Sequence, residues 1–300
     1  MNNTLKDKVL FVSGASRGIG LAIALRAAKD GGKVAIAAKT ATPNPKLPGT
    51  IFTAAEEIER AGGKALPLVC DIRDEESVKS AIQKTVEKFN GIDIVINNAS
   101  AISLTDTENT TLKKYNLMHE INARGTWLVT KYALPHLIES GKQGRNPHIL
   151  NISPPLSMKE KWFSSHVAYS IAKYNMSLCI LGWAGEFREH GIAANALWPV
   201  TSIDTAALNI LDRFTASKSR TPQIMADAAH LILTKNSSGF SGNFVIDEII
   251  LREHGQTEFD QYLVTPGNRD LVVDFFVEDD VLNKLRTLWK EDIRKKTPKL

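Results

Sequence analysis

The sequence predicts an α/β protein with a doubly wound parallel sheet, about seven strands and helices on both faces. Short apolar runs alternate along the chain with longer amphipathic segments, and alternation of this kind is typical of parallel sheets whose crossovers are helices. A glycine-rich turn follows the first apolar run. We place all the predicted strands in one domain, residues 1–254, and treat residues 255–300 as a partly helical C-terminal extension.

The predicted elements follow one another in the order that such a fold requires. The apolar runs predicted as strands are residues 8–13, 33–38, 64–70, 92–96, 148–153, 192–197 and 239–246. The segments predicted as helices run from the glycine turn to residue 28 and over 52–61, 75–89, 111–137, 167–189, 221–234 and 279–296. The last of these is charged and amphipathic, and we expect it to present a solvated face.

The composition narrows the class of protein. Of 300 residues, 43% are hydrophobic and 23% charged, with a net charge of +4, which is ordinary for a soluble globular protein. The two cysteines, Cys70 and Cys179, form no disulfide framework, and neither they nor the seven histidines show metal-ligand spacing. We therefore expect no metal, no nucleic-acid partner and no membrane span.

Three glycines lie between the first predicted strand and its helix. Gly14, Gly18 and Gly20 are spaced G-x-x-x-G-x-G. Strand, glycine turn and helix form the context of a phosphate-binding loop, because glycines let a pyrophosphate approach the backbone and the helix N-terminus offers unpaired N–H groups. A tight turn without a ligand is the alternative interpretation.

The end of the second predicted strand favours one dinucleotide. Sites that prefer NAD usually place an acid there to bind the ribose 2′-hydroxyl. Here the strand ends in Ala38-Lys39-Thr40, and Arg17 lies in the glycine turn. Two cations without an acid suit a 2′-phosphate, so the pattern predicts NADP. Lys39 as a solvated loop residue is the alternative.

Polar side chains follow the third and fourth predicted strands. Asp71 either accepts from an adenine amino group or caps the next helix, for which Asp74 is the better candidate. Asn97 and Asn98 come at the end of the fourth strand. Amides at that position can fix strand ends and line a cofactor pocket.

Tyr169 and Lys173 lie four residues apart in a predicted helix, so their side chains leave the same face. Free tyrosine and lysine have pKa values of about 10 and about 10.4. An ammonium beside a phenol favours the phenolate and lowers its pKa, which permits proton exchange near neutral pH. A surface helix with a snorkelling lysine is the alternative interpretation.

Together these motifs resemble the short-chain dehydrogenase/reductase family over roughly residues 5–250. The matches come in the family's order: the glycine turn, Asp71, Asn97-Asn98-Ala99, Asn122, and the Tyr169/Lys173 pair. The resemblance implies a Rossmann fold and hydride transfer between a carbonyl and an alcohol, with NADP as the cofactor that Lys39 and Arg17 predict. In that chemistry the cofactor carries the hydride and the protein supplies the proton.

The resemblance also implies a role for each matching residue. Tyr169 would be the acid/base on the substrate oxygen, Lys173 would lower its pKa and bind the nicotinamide ribose, and Asn122 would hold a water of the proton relay. The residues implied in cofactor binding are Gly14, Ser16, Arg17, Gly18, Ile19, Gly20, Lys39, Asp71, Ile72, Asn98, Ala99, Ser100, Tyr169, Lys173, Pro199 and Thr201.

One departure from the family concerns the catalytic serine. Family members place it about 13 residues before the tyrosine, where this chain has Leu156. Ser153 or Ser157 would then supply the hydroxyl. The loss of one such donor costs a factor of roughly 10² to 10³ in rate.

A second departure follows the sixth predicted strand. The usual Pro-Gly is Pro199-Val200 here, so Thr201 or Thr205 would take over the contact to the nicotinamide carboxamide.

The sequence thus predicts an NADP-dependent oxidoreductase, with an NADP(H)-binding protein of little or no catalysis as the alternative. Leu104, Trp162, Phe163 and residues 205–215 suggest an apolar small-molecule substrate, such as a lipid or fatty-acyl carbonyl. We expect a homodimer or homotetramer. The tripeptide Pro298-Lys299-Leu300 resembles the Ser-Lys-Leu address, which predicts the peroxisome, with the cytoplasm as alternative.

Overall fold

Seven parallel strands form one sheet at the centre of this computed structural model, which describes residues 4–44, 47–206, 208 and 213–296. The strands are β1 (Val9–Ser13), β2 (Lys33–Ala38), β3 (Lys64–Val69), β4 (Ile94–Asn97), β5 (His148–Ile152), β6 (Ala193–Trp198) and β7 (Phe244–Ile246). Their order is β3-β2-β1-β4-β5-β6-β7. The strand order reverses between β1 and β4, and in such sheets ligands bind at this switch point, outside the carboxyl ends of the strands.

Helices cover both faces of the sheet, which confirms the predicted doubly wound fold. They are α1 (Gly18–Lys29), α2 (Ile51–Arg60), α3 (Glu75–Phe89), α4 (Leu112–Met118), α5 (Thr126–Lys142), α6 (Val167–Glu186), α7 (Arg213–Ala216), α8 (Gln223–Thr234), α9 (Asp247–Glu253) and α10 (Asp279–Lys296).

The strands are apolar throughout because each face of the sheet is buried. Leu10 and Val12 of β1 pack into the cluster that includes residues of α1 and α8. Val9 and Phe11 of the same strand point the other way, into the cluster with α3, α5 and α6. Successive side chains of a strand alternate between faces, so a strand covered on both sides reads as one continuous hydrophobic run.

The predicted helix over residues 111–137 is wrong in its details. The chain forms α4, then a π-helical turn at His119–Gly125, and then α5. Gly125 lies so close to Ile72 that an added Cβ would be 2.6 Å from Ile72 Cδ1. π-Helical turns are rare and occur frequently at functional sites, and this one contains the buried Asn122.

Residues 279–296 form the predicted helix, but its apolar side is buried against the rest of the chain. Leu282 and Leu285 of α10 are buried in a cluster with Phe276. Trp289 Nε1 donates to Glu248 Oε1 at 2.8 Å. The apolar side of α10 therefore packs on the sheet domain, and only its other side meets solvent.

Two further observations concern the described residues only. No helix among them is long and apolar enough to cross a bilayer, and no group of three or more His, Cys, Asp or Glu side chains could hold a metal. Residues 298–300 lie outside the described part of the chain, so the peroxisomal address stays a prediction.

Candidate active site

The glycine turn packs tightly against the end of β4. Gly14 and Gly18 have φ angles of +68° and +59°, in the left-handed region that favours glycine. A Cβ on Gly14 would lie 2.9 Å from Ala99 Cα, and one on Gly20 would lie 2.5 Å from Asn98 Nδ2. Any larger side chain at Gly14 or Gly20 would push the two strand ends apart.

Hydrogen bonds join the carboxyl ends of β1 and β4. Asn98 Nδ2 donates to the main-chain oxygens of Ser13 and Gly14 at 3.0 and 3.1 Å. Ser13 Oγ accepts the N–H groups of Asn98 and Ala99 at 3.1 Å each. Asn98 therefore shapes one wall of the crevice at the switch point, and Ser100 beyond it is exposed.

The start of α1 fits an anionic ligand. Arg17 occupies the N-cap with extended backbone, and no described side chain caps the helix. The first N–H groups of a helix have no partner within the helix itself, and together with the helix dipole they attract a phosphate. Ser16 is buried and Ile19 packs on the core, so the turn is held in place. The residues present thus fit a dinucleotide pyrophosphate.

The cations predicted to select NADP have different surroundings. Arg17 donates from Nε to Pro48 O at 3.1 Å and from Nη2 to Gly49 O at 2.8 Å. Lys39 is 55% exposed, with its Nζ 3.8 Å from Asp71 Oδ2. The structure brings Lys39 and Asp71 together, whereas Arg17 is held on the loop before α2.

The sequence interpretation of Asp71 missed its main partner. Arg73 donates to its carboxylate from Nε at 3.0 Å and from Nη2 at 2.6 Å, and these bonds lower the pKa of Asp71. Asp74 is the N-cap of α3, accepting from the N–H groups of Glu76 and Ser77, which confirms that assignment. The Asp-x-Arg spacing is the signal that could have revealed the pair.

Asn122 lies on the π-helical turn and is fully buried. Its Oδ1 accepts from Ala101 N at 2.8 Å, and its Nδ2 donates to Ala101 O at 3.0 Å. The oxygen and the nitrogen of the amide therefore each form a hydrogen bond with the main chain of the loop after β4. The side chain positions that loop, and its part in a proton relay stays a prediction.

Tyr169 is buried on α6 in an aromatic environment. The centroid of its ring lies 5.8 Å from that of His166 and 6.5 Å from that of Phe276. Burial, with a smaller contribution from Asp274, raises the pKa of Tyr169 above its usual value. This differs from the lowered pKa expected from the sequence, because burial disfavours the phenolate.

Lys173 is buried one turn along the same helix. Its Nζ donates to Ile152 O at 2.8 Å and contacts Met176 Sδ at 3.7 Å, and it lies 5.2 Å from the centroid of the Trp198 ring. Burial lowers the pKa of Lys173 to about 8, an effect that Asp274 partly opposes. A snorkelling surface lysine is excluded, and the pair lies at the carboxyl ends of β5 and β6.

The two candidate serines occupy different places. Ser153 is fully buried, follows Ile152 directly, and its Oγ has no hydrogen-bond partner among the described residues. Ser157 is half-buried in the next loop and hydrogen-bonds Glu278. Lys173 donates to the main-chain oxygen of Ile152, the residue directly before Ser153. Of the two serines, Ser153 is therefore the better candidate for the catalytic hydroxyl.

The loop after β6 is tied down on both sides. Pro199 is buried, and Val200 N donates to Asp247 Oδ1 at 3.0 Å. Thr201 is fully buried, and its Oγ1 lacks a partner within the described part of the chain. Thr205 faces the glycine turn, its Cγ2 3.5 Å from where a Gly18 Cβ would be. Thr205 thus lies beside the glycine turn, whereas Thr201 is buried beneath the surface.

Sequence reasoning missed the C-terminal extension as part of this site. Phe276 is fully buried, and its ring centroid lies 5.8 Å from those of Trp162 and Trp198. Phe163, predicted to line the substrate pocket, packs against the same cluster. Leu104, also predicted to line the pocket, is 36% exposed and lies outside this cluster. Much of the predicted lining over 205–215 lies outside the described residues.

Comparisons with known proteins agree with this geometry. Residues 8–213 match the family described as short chain dehydrogenase. Hydroxysteroid dehydrogenase-like protein 2 from Danio rerio is 57% identical over 270 residues, and that from Homo sapiens 54% over 271, each match covering 90% of this chain. The chain spans 63% of the length of these relatives.

A solved structure is similar over nearly the whole chain. The crystal structure of a putative dehydrogenase from Xanthomonas campestris is 51% identical, with a TM-score of 0.88, covering 92% of this chain and all of that one. The glycine turn, the buried Tyr169/Lys173 pair and these matches lead to one conclusion. The chain belongs to the short-chain dehydrogenase/reductase family of oxidoreductases, which bind a nicotinamide cofactor.

Proposed function

We propose that the protein is an NADP-dependent oxidoreductase that interconverts a carbonyl and an alcohol on an apolar, lipid-like small molecule. The burial of Tyr169 and Lys173 together at the carboxyl ends of β5 and β6 carries this proposal. The end of β1, with the glycine turn, lies in the same sheet with only β4 between it and β5. Cofactor loop and proton donor thus share one edge of the sheet.

The chain's own residues supply the proton chemistry. The raised pKa of Tyr169 keeps its phenol protonated at neutral pH, and a protonated phenol is the acid that carbonyl reduction needs. The nicotinamide, when bound, supplies the hydride. Ser153 Oγ, buried without a described partner, offers a second donor for the oxygen that gains charge.

The preference for NADP over NAD rests on Lys39. It follows β2 directly, is 55% exposed, and has Asp71 as its described ion-pair partner at 3.8 Å. Asp71 is itself bound to Arg73, so Lys39 keeps most of its donor capacity. A dianionic 2′-phosphate is a stronger partner for an ammonium than this shared carboxylate.

The apolar substrate is inferred from the side chains around Tyr169. Trp162 and Phe163 come from the loop before α6, and Phe275 and Phe276 come from the extension. Phe275 is 40% exposed and lies 4.9 Å, ring to ring, from His166. An aromatic wall of this kind favours a hydrophobic carbonyl compound.

The test is oxidation of NADPH and NADH by the purified chain over a panel of aldehydes and ketones, from short to lipid-like. We expect turnover with NADPH that rises with chain length and is lost in Tyr169→Phe. Tyr115→Phe, which removes the hydroxyl of a half-exposed tyrosine on α4, is the matched control and should retain activity. Turnover that survives Tyr169→Phe would contradict the proposal.

A second candidate is an NADP(H)-binding protein with little or no catalysis. It is favoured by Leu156, which stands where the family has its serine. Tight NADPH binding by calorimetry, without turnover on any member of the panel, would support it. Absence of nucleotide binding would contradict both candidates.

We also propose a homo-oligomer that buries the outer faces of α5 and α6. Trp127 is 46% exposed on α5, and Leu178 and Leu181 are 53% and 56% exposed on α6. Light scattering should give a multiple of the chain mass that falls in Leu178→Asp/Leu181→Asp, and a monomeric wild type would contradict the proposal.

A further inference from the structure

His166 lies beside Tyr169, at the N-cap of α6. The planes of their two rings are inclined at 80°, with 5.8 Å between the centroids. Among the described residues, the second ring near Tyr169 is that of Phe276, at 6.5 Å. A phenyl ring has no hydrogen-bonding atom. Of these two rings, that of His166 is therefore the one that can form a hydrogen bond with a ligand.

The hydrogen bonds around His166 determine which of its ring nitrogens carries the proton. Ser170 Oγ lies 2.5 Å from Trp162 O. A carbonyl oxygen only accepts, so the serine donates its single hydroxyl proton to it. His166 Nδ1 lies 3.1 Å from the same Oγ and must therefore donate to it. The proton is on Nδ1, and in a neutral imidazole Nε2 is then an acceptor.

Nε2 is an uncharged acceptor without a described partner. Burial lowers the pKa of His166, against a smaller effect of its own backbone, so the ring is neutral at neutral pH. The described hydrogen bond of the ring is made by Nδ1. Sealed ring nitrogens without a partner occur at His119 and His148, and His166 Nε2 is not one of them. The ring also lies 4.9 Å from that of Phe275, which is 40% exposed.

We propose that His166 is a specificity-determining residue, whose Nε2 accepts a hydrogen bond from a hydroxyl or N–H group of the substrate. The inference rests on the proposed oxidoreductase function. Because the rings of His166 and Tyr169 are adjacent, the donor would lie within a few bonds of the carbonyl carbon. The substrate class is then a hydrophobic carbonyl compound with a neighbouring hydroxyl or amide N–H. A compound without that donor leaves the acceptor unpaired, and this is the basis of discrimination.

The first test compares matched substrates with NADPH. The series consists of long-chain ketones with a hydroxyl at successive carbons from the carbonyl, together with the methyl ether of each. The ether keeps the oxygen but cannot donate. At one position we expect kcat/KM for the hydroxy ketone to exceed that for its ether by about tenfold to hundredfold. A wild type that turns over the series without such a preference at any position would overturn the inference.

His166→Asn is the variant for this test. Asparagine can place an N–H where Nδ1 was, so the bond to Ser170 is kept, but it has no counterpart of Nε2. We expect the ratio between hydroxy ketone and ether to fall to about one. His190→Asn is the matched control, because His190 is exposed on the turn after α6, and its ratio should equal that of the wild type. An unchanged ratio in His166→Asn would contradict the proposal.

Two measurements without turnover separate this inference from the proposed function. ¹⁵N NMR of the histidine rings, assigned with His166→Asn, should show His166 protonated on Nδ1 at neutral pH. A proton on Nε2 would overturn the inference whether or not the protein is active. Calorimetry of the same hydroxy ketones and ethers gives the second answer. Tighter binding of one hydroxy form that is lost in His166→Asn would support the inference even if turnover is absent and the proposed function fails, whereas equal affinities would overturn it.

Discussion

Lys173 Nζ donates a 2.8 Å hydrogen bond to the main-chain oxygen of Ile152, the last residue of β5. This bond joins α6 to the sheet beside Ser153 and orients the lysine in a buried position. Burying an ammonium is unfavourable, and one carbonyl bond compensates only part of the cost. Burial accordingly lowers the pKa of Lys173 to about 8.

Lys173→Met should change the pH dependence of stability. The pKa of Lys173 falls from 10.5 to about 8 on folding, so between these values the unfolded chain binds more protons and wild-type stability rises with pH. Methionine carries no such charge. We expect the free energy of unfolding of the variant, relative to that of the wild type, to be up to about 3 kcal/mol higher at pH 7 than at pH 10.5. Urea unfolding at the two pH values measures this difference.

Lys64→Met provides the control for this measurement, because Lys64 is exposed on β3. Its effect on the free energy of unfolding should be the same at both pH values. An effect of Lys173→Met that is also independent of pH would show that the lysine is not buried as described.

The sheet was predictable because its signals are local. The bounds of β2 and α3 match the prediction residue for residue, since apolar runs, glycine turns and the Asp74 cap all lie within a few residues of the elements they define. The glycine turn and the Tyr169/Lys173 pair were found for the same reason. Their spacing along the chain is their signal.

The parts that were missed depend on contacts between distant residues. The sequence pattern around Asn122 is that of an ordinary polar residue in a helix. In the structure Asn122 lies on a π-helical turn and forms hydrogen bonds with the main chain of Ala101. Phe276 is about a hundred positions from Tyr169 in sequence, and only the fold brings their ring centroids to 6.5 Å. The raised pKa of Tyr169 likewise comes from burial, which no spacing reveals.

Lys39→Ala should weaken binding of NADPH but spare NADH. The loss of a charge-assisted bond to the 2′-phosphate corresponds to about a tenfold to hundredfold rise in Kd. NADH has a hydroxyl at that position, so its Kd should change less than about threefold. Fluorescence titration of both nucleotides measures the ratio.

Lys33→Ala is a suitable control, since it removes a lysine at the opposite end of β2 and should affect neither nucleotide. If Lys39→Ala weakened NADPH and NADH equally, Lys39 would not contact the 2′-phosphate, and Arg17 would become the next candidate.

Gly20→Ala and Gly182→Ala should have opposite effects on stability, although both replace a helical glycine. A Cβ at Gly20 would lie 2.5 Å from Asn98 Nδ2 and 2.9 Å from Gly14 O, and such overpacking costs about 1–3 kcal/mol. At Gly182 no described atom lies within 4 Å, so alanine should add about 1 kcal/mol through helix propensity. Equal effects in chemical denaturation would contradict the close contact between the glycine turn and β4.

Glu278→Gln should weaken substrate binding without slowing the chemical step. Glu278 accepts from Lys159 Nζ at 2.5 Å and from Trp162 Nε1 at 3.0 Å, so the extension holds the loop that precedes α6. Burial opposes its ionisation, but the bonds from Lys159, Ser157 and Trp162 outweigh burial and lower its pKa to about 2. The carboxylate is therefore charged throughout the working pH range, and glutamine replaces charged hydrogen bonds with weaker neutral ones.

Because Trp162 belongs to the aromatic wall near Tyr169, a looser loop should raise KM for long apolar carbonyls about tenfold, with kcat within about twofold. Asp279→Asn is the matched control. It removes the next carboxylate, 73% exposed and paired with Lys161 on the same loop, and exposed ion pairs of this kind contribute little. Steady-state kinetics over the carbonyl panel distinguish the variants. A fall in kcat with unchanged KM would instead mean that Glu278 acts on the catalytic pair and not on the substrate wall.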